Sequence, residues 1–186
     1  MLHGLINFLV SPMPAAREIR KSCIFKIVPI INVDGVIAGN YRSSMAGVDM
    51  NRMFGEKASE KLNPESAMLK SIARDCDRLA FYFDIHSHSN KKSIFMYGPH
   101  FPLHSEHYLK LRILPKLLQS VSKMFRYYSC RFKSEKSKRN CSRLALSREL
   151  RLPTCYTIET SIMGFLDPIT RITEDLSPDV LSLFGR

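Results

Sequence analysis

Two apolar runs in this chain each break off at an ionisable side chain. Phe81-Tyr82-Phe83-Asp84-Ile85 ends at His86, and Thr154 to Ile158 ends at Glu159. Short runs rich in aromatic and β-branched residues read as buried strands. Helical stretches separate them. One opens at Asn63-Pro64-Glu65-Ser66 and runs to about Cys76, with Pro64 suited to a first turn. A second spans Ser105 to Met124, with a kink expected at Pro115, and a third spans Cys141 to Leu150. Strands alternating with helices specify an α/β fold with a mostly parallel or mixed sheet. In such sheets the strand ends converge on one site, so His86 and Glu159 are expected to meet.

The rest of the chain extends this pattern. Leu2 to Val10 reads as a helix broken by Ser11-Pro12-Met13-Pro14, and Ala15 to Lys21 as a second helical piece. Ile24 to Ile31 is rich in β-branched residues and reads as a buried strand, followed by a turn at Asn32-Val33-Asp34-Gly35. Gly39 to Gly55 is an irregular polar loop, of a length that is often functional in a compact domain. Ser93 to Tyr97 and Tyr127 to Phe132 read as further short strands, and Thr173-Glu174-Asp175-Leu176 as the start of a final helix. No repeat or long linker divides the chain, so residues 1–186 form one domain.

Composition narrows the function classes. No apolar run is long enough to cross a bilayer, and Met1 to Val10 lacks the basic segment and cleavage site of a signal peptide. The five cysteines are scattered and form no C-x-x-C pair, which fits reduced thiols and a cytoplasmic location. The net charge is +11, and between Lys110 and Arg151 13 Lys and Arg face two acids, Glu135 and Glu149. The whole surplus sits in that segment, which should attract an anionic partner. The interleaved aromatics Phe125, Tyr127, Tyr128 and Phe132 keep nucleic acid as a lesser alternative, and no membrane partner is expected.

The candidate site residues have matching chemistries. A neutral imidazole at His86 suits zinc. A glutamate in an apolar setting, as at Glu159, holds its proton more tightly and suits general base work. Asn51 and Arg52 place an amide beside a guanidinium that can hold a carboxylate, and Arg42 adds a second positive charge.

Six motifs run in order along the chain: Asn32-x-Asp34-Gly35-Val36; Gly39-Asn40-Tyr41-Arg42-Ser43-Ser44; Gly47-x-Asp49-x-Asn51-Arg52; Asp84-Ile85-His86-x-His88-Ser89, continuing to Gly98; Glu135-Lys136-Ser137-Lys138; and Tyr156-Thr157-Ile158-Glu159. Together they resemble the cytosolic carboxypeptidases, the tubulin-deglutamylating branch of the zinc metallocarboxypeptidases. The resemblance implies a three-layer α/β/α domain with a mixed central sheet. It also implies that His86 is a zinc ligand and Glu159 the catalytic base, that Asn51 and Arg52 bind the substrate's terminal carboxylate, and that Arg42 polarises the scissile carbonyl. His88 belongs to the same signature and is assigned a structural role. The implied partners are acidic polypeptide tails such as those of polyglutamylated tubulin, met by Lys136, Lys138, Arg143 and Arg148.

One element of the family pattern is missing. The resemblance implies two further zinc ligands from a His-Pro-Gly-Glu motif, and none of the six histidines begins an H-x-x-E. His100, His104 and His107 are interrupted by Pro102 and read as a polar helix start rather than a substitute site. The expectation is therefore an incomplete metallocarboxypeptidase catalytic domain, lacking its N-terminal strands and inactive as it stands, with a non-catalytic binder of acidic tails as the alternative. Zinc held by one of three ligands would not be tight.

Overall fold

The computed structural model describes residues 1–55, 63–133 and 135–185. Its helices are α1 (Leu2–Val10), α2 (Pro14–Ser22), α3 (Val33–Ile37), α4 (Pro64–Arg74), α5 (Glu106–Val121), α6 (Ser142–Leu150) and α7 (Pro178–Phe184). The strands are β1 (Tyr82–His88), β2 (Ile94–Tyr97), β3 (Cys155–Ser161), β4 (Phe165–Leu166) and β5 (Thr173–Glu174). The caps follow local chemistry. Pro14, Pro64 and Pro178 open their helices, where a missing N–H costs nothing. Ser105 and Ser177 accept backbone N–H groups at the starts of α5 and α7. Pro115 lies buried inside α5, which continues through it.

The main sheet has three strands in the order β1-β3-β2. β3 runs parallel to β1 and antiparallel to β2, so the sheet is mixed. Successive side chains of a strand point to opposite faces, and β3 is buried on both. Cys155 packs with Ala73 of α4 and Leu146 of α6, whereas Tyr156 joins Leu111 of α5, Ile94, Phe95, Met96 and Phe125. Helices thus cover both faces, the three-layer arrangement expected. Tyr156 Oη donates to the Leu111 carbonyl at 2.9 Å, which satisfies its buried hydroxyl. At the ends of the chain α1 and α7 pack closely. A Cβ on Gly4 would fall 1.9 Å from the Ser182 carbonyl oxygen, so only glycine fits there.

Several sequence expectations are corrected. Ile24 to Ile31 is not a strand. None of the described backbone hydrogen bonds involves it, and Ile24 is 92% exposed. β-branched composition favours extended backbone, but a strand exists only when a neighbouring edge pairs with it. Asn32 is not a turn residue but the cap of α3, accepting the Gly35 N–H. Residues 127–132 form a 3-10 turn (Tyr127–Ser129) and touch the sheet through one bridge, Tyr97 with Arg131. Thr173 and Glu174 pair with β4 instead of opening a helix, and α7 starts behind Ser177-Pro178. β1 and β3 also run past His86 and Glu159 to His88 and Ser161, because the polar pairs Ser87–Thr160 and His88–Ser161 keep the ladder going.

The loop after β4 carries a charge-dependent anchor. Lys123 Nζ donates to Asp167 Oδ2 at 2.8 Å, and the Thr170 and Ile169 N–H groups donate to Oδ1 at 3.0 and 2.8 Å. The Lys123 bond first, then the two amides, hold the Asp167 carboxyl well below the usual aspartate range. A carboxyl depressed in the folded state stabilises above its unfolded pKa, and that contribution is lost as pH falls through the lower folded value. Asp167→Asn should therefore lower the urea unfolding midpoint at roughly pH 7, and the gap to the unaltered chain should narrow towards roughly pH 2. A gap independent of pH would assign Asp167 a purely steric role.

Candidate active site

Residues 86 and 159 are partners in the parallel ladder between β1 and β3, so both side chains leave the sheet on one face. His86 Nδ1 lies 3.9 Å from Glu159 Oε1. The other ring nitrogen, Nε2, is 2.9 Å from Asp84 Oδ1, two residues earlier on the same face. Asp84 is buried, and its second oxygen accepts from Ser142 Oγ at 2.8 Å and Asn51 Nδ2 at 3.3 Å. Asn51 Nδ2 also sits 3.2 Å from His86 Nε2. An imidazole N–H given to Asp84 cannot accept from an amide, so Asn51 bonds the carboxylate. Asn51 Oδ1 accepts the Ser142 N–H at the start of α6 at 2.9 Å, which fixes the loop against the helix.

Electrostatics follow from this packing. Burial favours neutral Asp84, but the bonds to His86, Ser142 and Asn51 outweigh it and hold the carboxyl below its ordinary value. Burial likewise works against a charged His86, and the bond and charge of Asp84 outweigh it, so the imidazole pKa is raised. Glu159 is 7% exposed, and burial raises its pKa despite the opposing pull of His86 and Arg143. The sheet thus places a carboxyl of raised proton affinity next to an imidazole.

The loop arginines meet elsewhere. Arg42 Nη2 lies 2.8 Å from Asp49 Oδ2 and Arg52 Nη1 lies 4.0 Å from the same atom. Arg52 also donates to the Asn51 carbonyl at 2.8 Å. Asp49 accepts the Asn51 N–H at 3.1 Å and so holds both guanidiniums and the amide in one loop. Of the two residues expected to bind the terminal carboxylate, Asn51 touches the His86 cluster directly, while Arg52 is paired with Asp49, as is Arg42, expected at the scissile carbonyl.

A guanidinium not expected beside Glu159 comes from α6. Arg143 is 6% exposed, and its Nη1 donates to Thr157 Oγ1 at 3.1 Å. With Lys91, Arg131, Lys133 and Lys138 it lines a cavity of about 380 Å³, to which Tyr97 and Glu135 also contribute. The Tyr97 ring gathers three of these cations, with Lys91 and Arg143 at 5.5 Å and Lys138 at 5.9 Å from its centroid. Of the basic residues expected to meet acidic tails, Lys138 and Arg143 line this cavity. Arg148 donates to the Arg139 carbonyl, and Lys136 lies in a 3-10 turn without lining it. Lys91 and Tyr97 fall in the motif that continues from His86 to Gly98, without an assigned role; their place in the loop after β1 and at the end of β2 is the signal that could have found them. His88 Nδ1 accepts the Asn90 and Lys91 N–H groups and so shapes the turn that follows β1. Of the interleaved aromatics, Phe125 is fully buried and only Tyr128 is largely exposed.

Zinc is implied by the family resemblance, and the described residues do not complete a site for it. His86 supplies one imidazole, and among the described residues no group of three His, Cys, Asp or Glu side chains can hold a metal ion. Protein zinc sites take at least three ligands.

Comparison with known proteins agrees with the geometry. Residues 1–175 match the zinc carboxypeptidase family model. The chain is 34% identical over 180 residues to cytosolic carboxypeptidase 1 of Mus musculus, covering 88% of this chain and 15% of that protein. It is also 34% identical over 168 residues to cytosolic carboxypeptidase 2 of Danio rerio, covering 88% of this chain and 23% of that protein. Among solved structures, a metallo-carboxypeptidase from Burkholderia cenocepacia superposes with a TM-score of 0.81 at 19% identity, over 98% of this chain and 48% of that one. A metallo-carboxypeptidase from Pseudomonas aeruginosa gives 0.79 at 20% identity, over the same shares. These two establish the fold, the three-layer architecture described above. With the six motifs in order and His86 beside Glu159, the chain belongs to the zinc carboxypeptidase family, in its cytosolic carboxypeptidase branch.

Proposed function

We propose that this chain is the substrate-facing part of a carboxypeptidase acting on acidic polypeptide tails, such as those of polyglutamylated tubulin, in the cytoplasm. The observation that carries the reading is the cavity of five basic side chains beside Glu159, with a buried guanidinium at its wall. Within it Arg143 and the lysines hold the acidic side chains; Asn51 and Arg52 take the terminal carboxylate, and Arg42 polarises the scissile carbonyl. Arg42 and Arg52 leave Asp49 to do so. Glu159, with its raised proton affinity, takes a proton from water and returns it to the leaving amine. His86 would be one ligand of the zinc that the family implies, and a fully ligated zinc would supply Lewis-acid chemistry at the scissile carbonyl and the attacking water. On its own the chain has one of the three implied ligands, His86, so in isolation it binds acidic tails without hydrolysing them.

Fluorescence anisotropy with a labelled glutamate-tailed peptide tests the binding. Affinity should fall steeply from low to high salt, as exposed charges are screened; a flat salt response would defeat the acidic-tail reading. Metal analysis of the purified chain after dialysis against zinc tests the second part. Stoichiometric zinc would contradict the inactive form.

Tyr97 offers a sharper check. A cation over an aromatic face is worth about 0.5–2 kcal/mol, and here three share one ring. Tyr97→Leu should weaken peptide binding by about fivefold or more, whereas Tyr97→Phe, which keeps the ring, should stay near the original affinity. Equal losses in both would place the effect on the hydroxyl instead.

A further inference from the structure

The cavity beside Glu159 carries more positive charge than a single carboxylate can balance. Glu135 is its one acidic lining residue and is bonded to Lys138 at 2.9 Å. Among the described residues, Lys91, Arg131, Lys133 and Arg143 enter no ion pair. Arg143 is the more telling. Its Nη1 is satisfied by Thr157, but its Nε–H is buried with no partner. A buried guanidinium N–H without an acceptor is costly, and such an edge is shaped for a two-pronged bond to an oxyanion. The lysines, as mobile point charges, supply donors from other directions.

We propose that this cavity is a binding site for a phosphoryl oxyanion, either free phosphate or a phosphorylated side chain within the acidic tail. A phosphoryl group brings close to two negative charges and three acceptor oxygens, which suits one fixed guanidinium edge and several surrounding ammonium groups. The site rests on the reading that acidic tails enter this cavity. Phosphorylation near the end of a tail then strengthens its hold, and free phosphate competes with it.

Isothermal titration of the purified chain with sodium phosphate, ionic strength held constant with sodium chloride, tests the site directly. Sodium acetate serves as the singly charged comparison. Phosphate should saturate one site at least about tenfold more tightly than acetate. Arg143→Lys, which keeps the charge and loses the two-pronged edge, should weaken phosphate about tenfold with an unchanged unfolding midpoint. Lys133→Ala, at an exposed position, should weaken it several-fold and guards against a folding artefact. A phosphoserine peptide and the same peptide with glutamate at that position separate the sources. A gain of about tenfold for phosphoserine assigns the site to tails, and phosphate binding without that gain assigns it to the free ion. Phosphate no tighter than acetate overturns the inference. If the glutamate peptide still binds in that case, the acidic-tail reading stands; if it does not, both fall.

Discussion

Arg143→Leu should remove most of the chain's affinity for glutamate-rich tails, raising the dissociation constant by about 30-fold or more. Losing one partner of a buried, hydrogen-bonded charge pair typically costs about 2–5 kcal/mol, and each 1.4 kcal/mol is tenfold. The effect is this large because Arg143 is buried and held by Thr157, so no water can take its place cheaply. Surface charges in the same segment should behave differently. Arg148, which donates to the Arg139 carbonyl on the exposed side of α6, should change affinity about twofold or less on replacement by alanine. Anisotropy titrations of the two variants at one low salt concentration decide the matter, with circular dichroism to check folding. Equal losses would mean that the basic segment acts as a diffuse field and not through the cavity.

Phe95→Ala should cost about 3–5 kcal/mol of folding stability, a large share of the roughly 5–15 kcal/mol typical of a domain. Phe95 is 0% exposed on β2. Its ring meets the edges of His88 at 5.1 Å and Tyr97 at 5.5 Å, and Lys91 lies 4.9 Å above it. Removing it leaves a void in the core and withdraws the support under the cavity wall. Urea unfolding should show a midpoint shift with little change in slope, whereas Phe95→Leu should lose about half as much or less. If both variants lost equally, the ring contacts and not the volume would be what matters.

The strands that carry the site were legible because their apolar runs are short, aromatic and sharply bounded. Their meeting was legible too, since parallel strands in a sheet converge at one end. The pairing of His86 with Glu159 on one rung was not, because register depends on contacts between segments far apart in sequence. Asp84 could have been found: it stands two residues before His86, the spacing that puts both on one face. Arg143 was named for its charge but not for its burial, which arises from the packing of α6 on the sheet. Ile24 to Ile31 failed for the opposite reason. Its composition alone reads as a strand, yet pairing is a property of two segments, and composition describes one.

The shared rung of β1 and β3 has a consequence for how such a chain can change over time. Moving either strand by a single residue would turn its reactive group through to the far side and part the imidazole from the carboxyl. The loops between β1, β2, α5, α6 and β3 carry no such constraint, since lengthening a loop costs only slowly growing entropy. Insertions should therefore collect in the loops between His88 and Cys155, outside β2, α5 and α6, and be purged from the two strands, whose shared rung holds His86 beside Glu159.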